Sequence, residues 1–421
     1  MENSKIIERD IEKDIQKWLF SKEIIAIRGP RQSGKTTLLN KIKQRLMKKS
    51  ISENQITNIT FEDEIEKNKF QKNPQEYLEY FISEKNKKHY FLLDEVQYIE
   101  NAGKLLKLVY DKTSNIKIFI TGSSTLEITE VGSYLVGRVL FFDLRTFSFS
   151  EFLKARDINA FNYYNKNKIS IKDLRKDLGN KQNLFLDTLN KYLEEYLIFG
   201  GYPRVVLEKN NEKKIVLLKN LFLTYIEKDI LKLYGTKYKQ PVLDLLDYLA
   251  NCNGEIINYN EVCNITGLYL KELKQVMKIL EETYVIKIIK PYHKNLATEL
   301  KKNPRVYFFD LGLRNYKVNR FQFNDEEKGK LLENFILNTF HYKKSNYWRT
   351  TSKAEVDFVF SDSYNKLLPI EVKFTPKITR ALRSFIHSYN PEIAIIANIQ
   401  SLKKQEKINK TEVFFLPASL L

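Results

Sequence analysis

Cysteine is almost missing from this chain: Cys252 and Cys263 are the two it has in 421 residues. They lack CxxC spacing and histidine neighbours, so they read as reduced packing residues rather than zinc ligands. The four histidines, His89, His293, His341 and His387, are scattered, none with a partner at metal-ligand spacing. No run of eighteen apolar residues occurs, and the N-terminus is charged and acidic where a signal peptide would be basic and then apolar. Neither a membrane span nor a leader is expected, and the expected location is the cytoplasm. What remains is ample core material, with 43% hydrophobic residues, in a chain long enough for two to four domains. The net charge of +18 favours a polyanionic partner such as nucleic acid, with double-stranded DNA a candidate. Lysine carries most of that excess, however, and an Asn- and Ile-rich composition of the kind low-GC coding imposes would produce it without any binding role.

Against this background one stretch stands out. Ile24 to Ile27 is an apolar strand, and Gly29-Pro30-Arg31-Gln32-Ser33-Gly34-Lys35-Thr36-Thr37 follows it in the form G-x-x-x-x-G-K-T. Glycines at both ends let backbone N–H groups turn inward around phosphate oxygens, at the positive end of a helix opened by Thr36. Lys35 would reach the β- and γ-phosphates of ATP, and the Thr36 hydroxyl would join the Mg²⁺ shell. Leu38, Leu39, Ile42 and Leu46 give that helix an apolar side to about Met47. A second apolar run, Tyr90 to Leu93, ends in Asp94-Glu95. Asp94 fits a Walker B carboxylate on Mg²⁺, and Glu95 a base for the attacking water.

Other elements complete an α/β pattern. A helix is expected over 3–20, with Ile7, Ile11, Ile15 and Trp18 on one face. Strands are expected at Gln55–Phe61, 89–94, Asn115–Gly122 and Val139–Leu144. Strands alternating with helices imply a parallel sheet with ligands at its carboxyl end, where Thr121, Ser123 and Ser124 fall. A hydroxyl there either senses the γ-phosphate or sits in a plain turn.

Gly29 to Thr37, Leu93-Asp94-Glu95-Val96-Gln97, Thr121-Gly122-Ser123-Ser124, Gly137-Arg138 and Phe147 to Leu153 resemble a prokaryotic family of AAA-type ATPases. Its members carry a C-terminal domain of unknown function. The likeness continues through Phe199-Gly200-Gly201-Tyr202-Pro203 and Tyr225 to Ile230. It implies that Arg138 holds the place of an arginine following the sensor strand, either stabilising transferring phosphoryl charge, in cis or from a neighbouring subunit, or forming an ion pair at the sheet edge.

Residues 154–190, charged, asparagine-rich and low in periodicity around Asn162–Lys168, read as a surface insertion or linker, before helices at Leu184–Ile198 and Lys213–Leu233. From Pro241 to Tyr316 the pattern is that of a winged helix. Its third helix exposes Lys271, Lys274 and Lys278, and strands Val285–Ile289 and Arg305–Phe309 flank a tip bearing His293, Lys294, Lys301 and Lys302. Finally Glu333 on an apolar-striped helix, Asp357 at a strand end, and Glu371-Val372-Lys373 on the next strand resemble the PD-(D/E)xK nuclease core. Period-two spacing puts Lys373 on Glu371's face, with Glu333, Asp357 and Glu371 as candidate Mg²⁺ ligands.

The expected architecture is therefore an AAA-type P-loop parallel sheet over 1–153 and a helical lid over 154–237. A winged helix over 238–316 and a restriction-endonuclease-like α/β domain over 317–421 would follow. ATP and Mg²⁺ are the expected cofactors, with Glu95, Lys35, Arg138 and Ser123 as catalytic candidates. Three functions remain open: a DNA-associated ATPase, a nucleotide-switched assembly protein forming homo-oligomers or binding a protein partner, and an ATP-regulated Mg²⁺-dependent nuclease.

Overall fold

The computed structural model describes residues 6–84, 86–122, 131–171, 174, 185–225, 235–293, 302–340, 344–399 and 404–421. Two compact units divide the chain, one of residues 1–147 with 282–284 and the other of 148–281 with 285–421. Among the described residues no helix is long and apolar enough to cross a membrane.

In the first unit, strands β1 (Ile24–Arg28), β2 (Ile56–Thr60), β3 (His89–Asp94), β4 (Ile116–Gly122) and β5 (Val139–Asp143) form a parallel sheet in the order β2-β3-β4-β1-β5. Alternation sorts their side chains to two faces. Ile25, Ile27, Tyr90, Leu92 and Phe119 join one core, and Ile24, Ala26, Phe91, Leu93, Ile118 and Ile120 the other. Onto the first face pack helices α1 (Glu12–Gln16) and α2 (Lys35–Lys48), the latter through Leu38, Leu39, Ile42 and Leu46. Helices α3 (Glu64–Lys72), α4 (Pro74–Glu79) and α5 (Ala102–Lys112) cover the second through Phe70, Leu78, Leu106 and Val109. Each fully buried aliphatic contributes about 1.5–3 kcal/mol, so both helical layers are held by apolar burial.

The N-terminal helix is shorter than its periodicity predicts. It covers Glu12–Gln16 alone, Trp18 is 40% exposed, and Leu19 fills the core position instead. Beyond Gln16 the chain continues in i→i+3 turns, Lys17 to Asp14, Trp18 to Ile15 and Leu19 to Gln16, while buried Glu12 ties the segment to α2 by taking Lys41 Nζ at 2.7 Å and the Arg45 guanidinium.

The second unit joins a helical region to an eight-stranded mixed sheet. Its strands are β6 (Ile286–Pro291), β7 (Arg305–Phe308), β8 (Lys344–Arg349), β9 (Glu355–Ser361), β10 (Leu367–Lys373), β11 (Ile393–Asn398), β12 (Lys404–Ile408) and β13 (Thr411–Pro417). They run in the order β12-β13-β11-β10-β9-β8-β6-β7. Three helices, Lys239–Asn251, Tyr259–Thr266 and Leu270–Glu282, precede the antiparallel β6–β7 hairpin, as the sequence pattern predicts. Nothing in the sequence announced that the hairpin's other edge continues the C-terminal sheet, with Lys290 opposite Asn346 and Pro291 opposite Tyr347.

Of the predicted surface insertion at 154–190, residues 172–173 and 175–184 lie outside the described residues, and its first part is instead a packed helix, Ile158–Asn167. Asp157 caps it by accepting from the Asn159 and Ala160 amides at 2.8 and 3.2 Å, and buried Tyr164 donates a 2.9 Å hydrogen bond to the Leu421 carbonyl. One cap and one aromatic anchor override a weakly periodic sequence. The Gly200-Gly201 turn is explained by close approach: a Cβ on Gly200 would lie 2.1 Å from Asp310 Oδ1, and the Gly201 amide donates to Asp310 Oδ2 at 2.8 Å. The predicted helix from Lys213 runs over Asn211–Tyr225, and its expected end, 226–233, lies outside the described residues.

Candidate functional site

Gly29 closes β1 where no side chain fits, since a Cβ there would lie 2.0 Å from the Leu144 carbonyl oxygen. The loop then turns through Gln32 and Gly34, with φ of 57° and 97°, a left-handed backbone that glycine adopts without strain. Gly34 is the N-cap of α2, so the helix's first amides face the loop's interior. Lys35 is 4% exposed, and its ammonium donates to the Gly29 and Pro30 carbonyls, each at 3.1 Å. A buried ammonium held by loop carbonyls beside the open amides of a helix start is chemistry that suits an anion. Pro30, Arg31, Ser33 and Thr37 complete the loop and helix start, with Arg31 beside the Tyr98 phenol.

The carboxyl ends of β3 and β4 meet this loop. The Thr36 hydroxyl donates to Asp94 Oδ2 at 2.7 Å, and the Thr121 hydroxyl donates to Asp94 Oδ1. Thr121 in turn accepts the Glu95 amide at 3.0 Å. Glu95 has left-handed backbone, φ 57°, and its carboxylate accepts from the Gln97 side-chain amide. Hydroxyl and carboxylate oxygens converging at 2.7 Å are hard donors of the kind Mg²⁺ prefers, so Thr36 and Asp94 fit that ion. Lys35, Thr36, Asp94, Glu95 and Thr121 are thus gathered at one end of the sheet. Ser123 lies outside the described residues, as does Ser124.

Arg138 is not brought there. Ile24 pairs with Val139, so Arg138 sits at the amino end of the sheet, while the phosphate loop follows Arg28 at the carboxyl end. Five strand residues separate the two ends, roughly 15 Å. The guanidinium makes a bidentate pair with Asp111, at 2.8 and 3.3 Å. Within this chain the geometry matches the edge ion pair rather than a contact with the phosphate loop.

Sequence reasoning overlooked Arg9. It is buried, and it donates to the Ser33 carbonyl of the loop at 2.8 Å and the Arg145 carbonyl at 2.6 Å. No local signal marks it, because it lies 24 positions before Ser33 in a segment without regular structure.

The C-terminal constellation also assembles in part. Lys373 Nζ stands 3.4 Å from both Asp357 Oδ2 and Glu371 Oε1. Asp357 accepts the Val372 amide at 2.8 Å, and Glu371 takes the Thr379 hydroxyl on both oxygens. Glu333 lies on the helix Asp325–Thr339 and takes the Tyr307 phenol at 3.4 Å. Burial, reinforced by Asp357, pushes the Glu333 carboxyl up to about 8, and burial likewise raises Glu371 to about 7. Burial opposes the Lys373 charge, but Asp357, Glu371 and Glu333 together leave its pKa raised. Among the described residues no group of three or more His, Cys, Asp or Glu is arranged to hold a metal ion. Glu333, Asp357 and Glu371 therefore do not form the expected three-carboxylate set: the ammonium of Lys373 stands beside two of them, and the third faces Tyr307. Arg305 and Tyr307 reach this cluster from β7, and Arg305 also pairs with Glu355. The R-V-Y alternation of that strand was the available signal, since it puts both side chains on one face.

Three family models match stretches of the chain. Residues 21–153 match the family model described as AAA domain. Residues 190–324 and 328–421 match two described as domains of unknown function, DUF8612 and DUF4143. An uncharacterised protein of Methanocaldococcus jannaschii is 26% identical over 385 residues, covering 87% of this chain and 78% of its own. One from Haemophilus influenzae is 24% identical over 375 residues, 86% of each chain. Among solved structures, PCH-2 of C. elegans aligns at 15% identity with TM-score 0.29 over 65% of this chain and 70% of its own. AMPPCP-bound DnaA from Aquifex aeolicus aligns at 13% identity, also with TM-score 0.29, over 66% and 89%. The first unit is an α/β fold with a parallel sheet, matched over residues 21–153 by the AAA-domain model, and a helical middle and a C-terminal mixed sheet follow it.

Proposed function

We propose that this protein binds and hydrolyses ATP with Mg²⁺ and acts in association with double-stranded DNA. The observation that carries the ATPase reading is the Thr36–Asp94 hydrogen bond with Thr121 behind it, which gathers the parts of a phosphoryl-transfer site at one sheet end. Lys35 and the loop amides would hold the β- and γ-phosphates, Thr36 and Asp94 the Mg²⁺, and bound Mg²⁺ would neutralise charge developing between those phosphates. Glu95 would accept the proton of the attacking water, and Gln97 holds its carboxylate in place.

The DNA reading rests on the helix Leu270–Glu282 and its hairpin, which have the element order of a winged helix. Lys271, Lys274 and Lys278 are exposed along one side of this helix, and Tyr269 is 80% exposed at its start. Lysines on an exposed helix face meet phosphates, and an aromatic at its tip offers a contact to bases or sugars. Lys302 and His293 flank the hairpin's tip, and Lys294 and Lys301 lie outside the described residues. The carboxylates near Lys373 do not fit a three-ligand metal, so no cleavage step is assigned to them.

Steady-state phosphate release with Mg²⁺, with and without double-stranded DNA and with Glu95→Gln as the blank, tests this. Turnover that DNA stimulates and the variant abolishes supports both parts. Turnover indifferent to DNA leaves a nucleotide-switched assembly protein, checked by oligomeric state with and without ATP. DNA binding without turnover leaves a non-catalytic binding module.

A further inference from the structure

The segment Ile6–Arg9 is held to α2 by buried contacts. Glu12 accepts from the Arg9 amide at 2.6 Å, from Lys41 Nζ at 2.7 Å and from the Arg45 guanidinium. Lys41 also donates to the Ile7 carbonyl at 2.9 Å. This staple delivers the Arg9 guanidinium to two targets at once. One fork is on the Ser33 carbonyl at 2.8 Å. The other is on the Arg145 carbonyl at 2.6 Å and the Thr146 carbonyl at 3.4 Å, with the guanidinium carbon 4.9 Å above the Phe147 ring.

Both targets matter for the phosphate loop. A trans peptide is planar, with its C=O and N–H on opposite sides. Holding the Ser33 oxygen toward Arg9 therefore turns the Gly34 N–H away from it. That amide is one of the donors a phosphate cradle uses. The second target belongs to the stretch Leu144–Phe147, which ends the first unit's continuous run from residue 1 to 147. It already touches the loop's other end, where the Leu144 amide donates to the Arg28 carbonyl at 2.7 Å and the Leu144 oxygen excludes a Cβ from Gly29. A flat, two-pronged guanidinium can serve both carbonyls together, whereas an ammonium on its single stem favours one.

We propose that Arg9 is a positioning residue of the phosphate loop: it orients the Gly34 amide through the Ser33 carbonyl and links the loop's nucleotide state to the 144–147 stretch. This rests on the ATPase reading. On binding, phosphate draws on the amide whose carbonyl Arg9 holds, and the same guanidinium carries the change to Arg145 and Thr146.

The test uses the full chain as wild type, Arg9→Met, Arg9→Lys and Lys35→Ala. ATP affinity, kcat and KM are measured, together with hydrogen exchange of peptides spanning 140–150 with and without ATP. Arg9→Met is expected to weaken ATP binding by about tenfold, the value of one lost charge-assisted hydrogen bond, raising KM more than it lowers kcat. Arg9→Lys should recover part of the affinity while losing the ATP-dependent change in exchange at 145–147, a split that general destabilisation does not produce. It also stands in if Arg9→Met fails to fold. Arg9→Lys with wild-type affinity and a wild-type exchange response overturns the proposal even where the wild type hydrolyses ATP. A wild type that neither binds nor hydrolyses ATP, indistinguishable from Lys35→Ala, overturns the ATPase reading and this inference together.

Discussion

The Thr36 hydroxyl donates a 2.7 Å hydrogen bond to the Asp94 carboxylate, joining the start of α2 to the end of β3 across 58 positions of sequence. Asp94 is in turn fixed from the other side by Thr121. A carboxylate oriented by two hydroxyls needs little reorganisation when a cation replaces one proton donor, and such preorganisation is a large part of catalytic electrostatics. Asp94→Asn and Thr36→Ala are each expected to lower phosphate release by about 100-fold or more. Arg138→Ala, at the other end of the sheet, should leave it within about twofold, because an exposed ion pair contributes little. A fall in turnover for Arg138→Ala comparable to that for Asp94→Asn would show that this arginine reaches a phosphate site after all.

Two glycines should respond in opposite directions to alanine. Gly329 lies within the helix Asp325–Thr339, and a Cβ there meets nothing within 4 Å. Gly329→Ala should therefore stabilise by about 0.5–1 kcal/mol. At Gly29 the added carbon would lie 2.0 Å from a backbone oxygen, so Gly29→Ala should destabilise by about 1–3 kcal/mol and distort the phosphate loop as well. Chemical denaturation of the two variants beside wild type checks both signs.

The C-terminal carboxylates make stability depend on pH. Burial raises Glu333 from 4.5 to about 8 and Glu371 from 4.5 to about 7. Between the lower and upper values the folded chain keeps protons that the unfolded chain has released. Their contribution to stability is therefore complete below pH 4.5 and is lost as pH rises through 7 to 8. Glu333→Gln, which keeps the shape without the titration, should flatten the decline. Melting temperatures across that range are the measurement, and an unchanged slope in the variant would refute the assignment.

Lys117 should act with the opposite sign. It is buried at the amino end of β4, where it donates to Ser21 Oγ at 3.1 Å and to the Glu23 carbonyl. Burial, with Lys88 adding repulsion, lowers its pKa from 10.5 to about 7. Here the unfolded chain holds the extra proton, so Lys117 raises stability as pH climbs from 7 to 10.5. Lys117→Met should remove that rise, read as a flatter melting profile over the same window.

The elements most legible in the sequence were those set by contacts within a few residues. Tyr90 to Leu93 ending in Asp94 marks β3 almost to the residue, and Leu38, Leu39, Ile42 and Leu46 mark the buried side of α2. The failures share a different cause. Trp18 continues a helical apolar stripe, yet it is exposed and Leu19 is buried in its place, on a segment that Glu12 ties to Lys41 and Arg45, residues distant in sequence. Asn162–Lys168 looks like linker, yet Tyr164 is held by the carbonyl of the last residue, 257 positions away. In the C-terminal cluster Glu371 and Lys373 were legible through strand alternation, while Arg305 and Tyr307 arrive on a hairpin whose edge pairing has no local signature.

By itself, then, the sequence determined the phosphate loop, the Asp94-Glu95 strand end, the two-face layering of the first sheet and the strand spacing of Asp357, Glu371 and Lys373. Each follows from backbone freedom or side-chain periodicity acting over a few residues. Only the tertiary structure decided that Arg9 holds the loop, that Arg138 stands at the opposite sheet end, and that Lys373 stands beside Asp357 and Glu371. Those outcomes depend on strand register and on which charges are buried together, and both are settled only when distant segments pack.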